Sequence, residues 1–163
     1  YAPEFLGMLK QELVKKWYKY KKAGGDRRQP TSLFEDVELV LGPDGELVES
    51  NRAPGDNNVG VLAWRCTLQT PEYPKGRDIV LIANDVTYQA GSFGVAEDVM
   101  FEKASQYARE RGLPRIHIAC NSGARVGLVE ELKPFIKAKW IDPADPSKGF
   151  SGLYLTEEDY AKF

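Results

Sequence analysis

Apolar and polar positions change rhythm along this chain in a way that divides it into helices and strands. Near the start, Phe5, Met8, Leu9, Leu13, Trp17 and Tyr20 recur at three- and four-residue spacing, with Lys10, Lys15, Lys19 and Lys22 on the other faces. That period predicts an amphipathic helix whose apolar stripe docks on a core while its lysines stay in water. A basic amphipathic helix can also touch a membrane or an acidic partner, but docking accounts for the stripe without a second molecule. Ala23-Gly24-Gly25-Asp26 ends the pattern, and Arg27-Arg28-Gln29-Pro30 reads as a linker.

The period then falls to two. Two short strands between 34 and 51 flank Gly42-Pro43-Asp44-Gly45, a hairpin signal. After loop chemistry over 52–58, alternation from 61 to 68 puts Leu62, Trp64, Cys66 and Leu68 on one face. Residues 79–83 are apolar without a break, as expected of a central strand buried on both faces. A loop holding Gly91, Ser92, Phe93 and Gly94 leads into a helix over 95–111. Its first turn carries Glu97 and Asp98, its buried stripe is Met100, Ala104, Tyr107 and Ala108, and Gly112 stops it. Pro114 opens a further strand, read as buried, and helix character returns at 128–132. Strand, helix, strand predicts a right-handed βαβ crossover, and the upstream hairpin makes the class α/β with a mixed sheet. Residues 1–30 form a leading helix and linker in this reading, and 31–163 the α/β core.

Composition narrows the picture. With 42% hydrophobic and 28% charged residues in 163, the chain has the make-up of a folded domain with a real core. A net charge of -2 argues against nucleic acid as a partner, and no apolar run is long enough to span a bilayer. Cys66 and Cys120 lack metal-ligand spacing and point to a reducing compartment, which we expect to be the cytoplasm, or a plastid if the source is an alga or related eukaryote. The chain starts without Met, and the helix start at Thr156-Glu157-Glu158-Asp159 comes just before Phe163, so we expect a piece of a longer protein.

Few side chains offer chemistry. His117, the sole histidine, lies inside a strand and reads as a packed residue, which leaves no Ser-His-Asp set. The 91–94 loop lacks the spacing of a dinucleotide fingerprint, and no Lys-Ser/Thr follows it to bind phosphate. Asn84, Asp85 and Glu97 sit near loop ends, where carboxylates and amides most often cap or face water. What remains is the main chain. The small residues at 121–127, between strand and helix, expose N–H groups where negative charge is favoured. Gly123 and Ala124 are the candidate donors for an oxyanion such as an enolising thioester develops, with no ionisable base required. Arg125 adds five fixed donors, and Asn121 and Ser122 belong to the same anion site. An ordinary glycine-containing turn with no ligand is the competing reading.

Several separated segments are more specific. Residues 77–88, the 91–94 loop and Ala119-Cys120-Asn121-Ser122-Gly123-Ala124-Arg125-Val126-Gly127 resemble the carboxyltransferase domain of eukaryotic, multidomain acetyl-CoA carboxylases. So do Asn51-Arg52-Ala53-Pro54-Gly55, Gly60-Val61-Leu62-Ala63-Trp64, Lys148-Gly149-Phe150 and Leu153-Tyr154-Leu155-Thr156, all in order. The resemblance implies a crotonase-like fold and transfer of a carboxyl group from carboxybiotin to acetyl-CoA, giving malonyl-CoA for fatty acid biosynthesis. It implies a domain of two related halves in a homodimer, with coenzyme A mainly on the N-terminal half. Biotin arrives on a carrier domain from the partner side, supplies the base itself, and no metal takes part in this region. Our sequence matches the first portion of the N-terminal half and holds one oxyanion turn, Ser122-Gly123-Ala124. A second such turn and the C-terminal half lie outside it, so the fragment alone is expected to be inactive. Arg125, matched to the Ser-Gly-Ala-Arg motif, meets an anionic substrate group or braces the turn. Cys120, where a small residue such as Ala is expected, and Val95-Ala96, where Pro and Gln are common, depart from the pattern. Transfer to another thioester such as propionyl-CoA, or a non-catalytic scaffold of the same fold, stays open.

Overall fold

A computed structural model describes residues 2–125 and 132–162. The helix expected over 128–132 lies outside the described residues except for Leu132. The chain divides into two compact units, Tyr1–Arg125 and Val126–Phe163.

The first unit is built on a five-stranded sheet. Its strands are β1 (Phe34–Leu41), β2 (Leu47–Ser50), β3 (Val61–Leu68), β4 (Arg77–Asn84) and β5 (Arg115–Ile118), in the order β2-β1-β3-β4-β5. Neighbours are antiparallel except β4 and β5, which run parallel and are joined by helix α2 (Val95–Glu110). A mixed α/β sheet with a βαβ unit is thus observed as expected. The period-two pattern explains how the sheet is covered. On one face Leu39, Val61, Ala63, Val80 and Ile82 pack with Met100, Ala104 and Ala108 of α2. On the other, Phe34, Trp64, Cys66, Leu81 and Ala83 pack with Leu6 and Leu13 of the leading helix α1 (Ala2–Lys22). Each fully buried Val, Leu or Ile side chain among them stabilises the fold by about 1.5–3 kcal/mol. Trp17 is also fully buried, and its indole N–H donates to the Gln69 carbonyl at 2.7 Å. A Schellman turn ends α1: Gly25 N–H bonds the Tyr20 carbonyl, Gly24 N–H bonds that of Lys21, and Gly24 takes a φ of +84°.

Two expectations need correction. Met8, placed on the buried stripe, is exposed, and Leu6 is buried in its stead, while Phe5, Leu9, Leu13 and Trp17 keep the expected docked face. Strand β5, read as buried, pairs only with β4 among the described residues, so Ile116 stays 46% exposed. A short apolar run looks the same at a sheet edge as at its centre.

The second unit holds an antiparallel ribbon of β6 (Lys137–Trp140) and β7 (Phe150–Tyr154), followed by α3 (Glu157–Tyr160). Thr156 caps α3 as its sequence announces, its hydroxyl accepting the Asp159 N–H at 3.1 Å. No described helix is long and apolar enough to cross a membrane.

Candidate functional site

The parallel pair β4–β5 ends in two polar clips. Asn84, the last residue of β4, donates from Nδ2 to the Gly91 carbonyl at 3.1 Å. Its Oδ1 therefore accepts, from the Cys120 N–H at 3.4 Å and from His117 Nε2 at 3.1 Å. That assigns the Nε2–H tautomer to His117. Burial, then the charge of Arg115, lowers the His117 pKa, and its ring stacks edge-on against Phe101. His117 is the packed residue that its position announced. Gly91 has a φ of +66°, and a Cβ there would sit 2.6 Å from the Cys120 carbonyl oxygen. Only glycine lets the two segments meet this closely.

Glu97 forms the second clip. It is the third residue of α2, just 2% exposed, and its Oε2 accepts the Gly94 N–H at 2.8 Å, closing the helix start. Oε1 accepts the Gly60 N–H at 2.9 Å, and Oε2 also meets Arg125 Nη2 at 2.6 Å. Burial acts to raise the carboxyl pKa, but the bonds from Gly60, Gly94 and Arg125 outweigh it and leave Glu97 below its usual value. Asp85 serves its own loop, accepting from Asn57 at 2.9 Å and from the Thr87 hydroxyl at 2.6 Å.

The 91–94 loop and the 121–125 turn come together. Phe93 N–H donates to the Gly123 carbonyl at 2.9 Å and Arg125 N–H to the Phe93 carbonyl at 2.6 Å, a single parallel bridge at Ala124. Arg125 adds Nε to the Ser92 hydroxyl at 3.2 Å. Its guanidinium is thus engaged with Glu97 and Ser92. Asn121, Ser122, Gly123 and Ala124 are all exposed.

The two candidate donors differ. Gly123, at φ +95°, already gives its N–H to Asn121 Oδ1 at 3.0 Å. An Asn two residues back captures such an amide readily. The Ala124 N–H is not used by the bridge and has no acceptor among the described residues. A cavity of about 910 Å³ opens in the same unit, its walls including Phe5, Trp64, Arg52, Asn84 and Cys120 but neither Gly123 nor Ala124. The donors therefore lie on open surface, not in that cleft. Arg52 is held in the cavity wall by two bonds to Glu38, at 3.0 and 2.6 Å. Val126 and Gly127, the end of the predicted turn, lie outside the described residues.

Comparison with known proteins gives this architecture a family. Residues 71–162, more than half of the chain, match the carboxyl transferase domain, and the chain belongs to that family. It is 45% identical over 159 residues to proteins called mitochondrial acetyl-CoA carboxylase in Saccharomyces cerevisiae strains YJM789 and RM11-1a. Those matches cover 98% of this chain, which spans only 7% of the length of these relatives. The beta subunit of geranyl-CoA carboxylase from P. aeruginosa overlaps 82% of this chain and 24% of its own, at 14% identity and a TM-score of 0.43.

Proposed function

We propose that this chain is the first portion of the N-terminal half of a biotin-dependent acetyl-CoA carboxylase carboxyltransferase domain, with a partial crotonase-like fold. Residues 1–30 are its leading helix and linker, and 31–163 its α/β core. The complete enzyme is a homodimer that takes acetyl-CoA to malonyl-CoA for fatty acid biosynthesis, in the cytoplasm or a plastid. The observation that supports this reading is an Ala124 N–H, on an exposed residue, with no acceptor among the described residues, in a turn held through Phe93 and through Glu97. Carboxybiotin, when brought by a carrier domain, would supply both the carboxyl group and the base. The described residues at 120–125 build no enclosed pocket for biotin. What they fit is the thioester: a main-chain donor, no free base, and backbone bare enough for close approach.

In this mechanism Ala124 N–H donates to the thioester oxygen as it gains negative charge. Being prealigned, it needs no reorganisation as that charge forms, and such a donor is the strongest aid a site without a side-chain base can give. Gly123 contributes its left-handed backbone, and its own amide joins only if Asn121 releases it. Ser122 and Asn121 edge the site, while Arg125 and the 91–94 loop hold it in place.

Turnover of the complete protein tests this. Replacing Gly123 with Val strains a backbone at φ +95° and crowds the approaching oxygen. We expect carboxyl transfer to acetyl-CoA to fall about a hundredfold, the scale of one lost oxyanion donor, with binding of free coenzyme A little changed. Wild-type turnover in G123V overturns the reading. Equal turnover of propionyl-CoA by the wild-type protein supports the wider acyl-CoA specificity, and no transfer to any thioester supports the scaffold.

A further inference from the structure

Glu97 is a nearly fully buried carboxylate that the mechanism above does not use. Its three contacts reach three separate stretches of chain: Gly60 ahead of β3, Gly94 at the start of α2, and Arg125 in the turn. The contacts form a closed circuit. Glu97 fixes Gly94; Phe93, next to it, holds both the Gly123 carbonyl and the Arg125 N–H; and the Arg125 side chain returns to Glu97. A Cβ on Gly94 would lie 3.0 Å from both Arg125 Cζ and Glu97 Oε2, so glycine at 94 lets the pair close against the backbone. Main-chain bonds through Phe93 and side-chain bonds from Arg125 to Glu97 and Ser92 thus both hold the turn, and Glu97 reaches each route, through Gly94 and through Arg125.

We infer that Glu97 is a positioning residue, which holds the 121–125 turn through Arg125 in the geometry that presents the Ala124 amide. This rests on the reading that the amide meets the thioester oxygen. An isolated surface ion pair would contribute little, but a buried carboxylate with every contact satisfied defines one arrangement and penalises others. Glutamine at 97 keeps the shape but removes the charge and turns one acceptor into a donor, which then faces an N–H of Gly94, Gly60 or Arg125.

The test is Glu97→Gln in the complete protein, with Arg125→Gln as a second variant reaching the same contact from its less buried side. Two quantities are read: carboxyl transfer to acetyl-CoA, and hydrogen exchange of the Phe93 and Arg125 amides, whose bonds cross the turn. In each variant we expect kcat to fall about tenfold or more, with KM for acetyl-CoA within about threefold, since misplacement of a reacting group weighs on turnover more than on binding. Exchange at Phe93 and Arg125 should rise while that of β4 amides holds. The double variant should be no worse than the poorer single one, because both act through one contact. Unchanged exchange, or losses that multiply in the double variant, overturns the positioning role and leaves the oxyanion reading standing on Ala124. Faster exchange with wild-type turnover overturns the oxyanion reading, and the positioning role with it.

Discussion

Residues 2–125 enclose a five-stranded sheet between two helices, whereas residues 132–162 fold a two-stranded ribbon and one short helix around polar contacts. In the first unit Val80, Leu81 and Ile82 are essentially inaccessible, and consecutive residues of one strand feed opposite cores. In the second, Trp140 and Phe150 meet edge to face at 6.1 Å yet remain 44% and 51% exposed. Its anchor is Asp159, whose carboxylate takes the Thr156 hydroxyl at 2.6 Å, Lys162 at 3.0 Å and Lys137 at 3.2 Å. The Thr156 hydroxyl, then the two lysines, hold that carboxyl well below the usual range. A two-stranded ribbon is marginal by itself, so the difference is between burial on both faces and a fold tied by a few hydrogen bonds. The candidate turn is itself exposed but is tied to the buried unit through Phe93 and Glu97, and that is what makes a backbone amide a credible tool.

Trp17→Ala breaks the comparison most severely. Removing a fully buried indole together with its bond to Gln69 should destabilise the first unit by about 3–5 kcal/mol, measured by denaturant unfolding or by exchange of β4 amides. The second unit should respond far less at any single position. Thr156→Ala there removes a helix cap, and we expect about 1 kcal/mol, read from exchange of the α3 amides. The same change releases Asp159 toward its ordinary pKa. A lowered carboxyl contributes stability above its unfolded pKa and loses it as pH falls through the folded value, so Thr156→Ala should leave α3 less sensitive to acid. If Thr156→Ala costs as much as Trp17→Ala, the contrast between the units is wrong.

The contrast also sorts what the sequence made legible. Where side chains alternate between two cores, as in β3 and β4, period alone located the strands and their faces. The α2 stripe and both helix stops followed from spacing and glycine. The β6–β7 ribbon escaped, because Lys137-Ala138-Lys139-Trp140 alternates over only four residues, Gly152 breaks the pattern of β7, and its aromatic residues are half-exposed. At the site, the bare turn at 121–125 was visible as small residues after a strand. Glu97 was visible only as a first-turn acid three residues past Gly94. Its link to Arg125 joins residues 28 apart and has no sequence period at all. Nor did spacing reveal that Asn121 would take the Gly123 amide, although Asn followed two residues later by Gly is a pattern in which such capture is common.

One atom carries the central claim, the hydrogen on the Ala124 nitrogen, and it can be removed alone. Replacing Ala124 in the complete protein by its α-hydroxy acid analogue turns that amide into an ester, keeping the methyl side chain while deleting the donor. Because the N–H has no acceptor among the described residues, the melting temperature should stay within about a degree or two of wild type. Carboxyl transfer to acetyl-CoA should fall about a hundredfold in kcat. Full turnover in the ester, with the fold intact, would contradict the account and return Ser122-Gly123-Ala124 to the status of an ordinary turn.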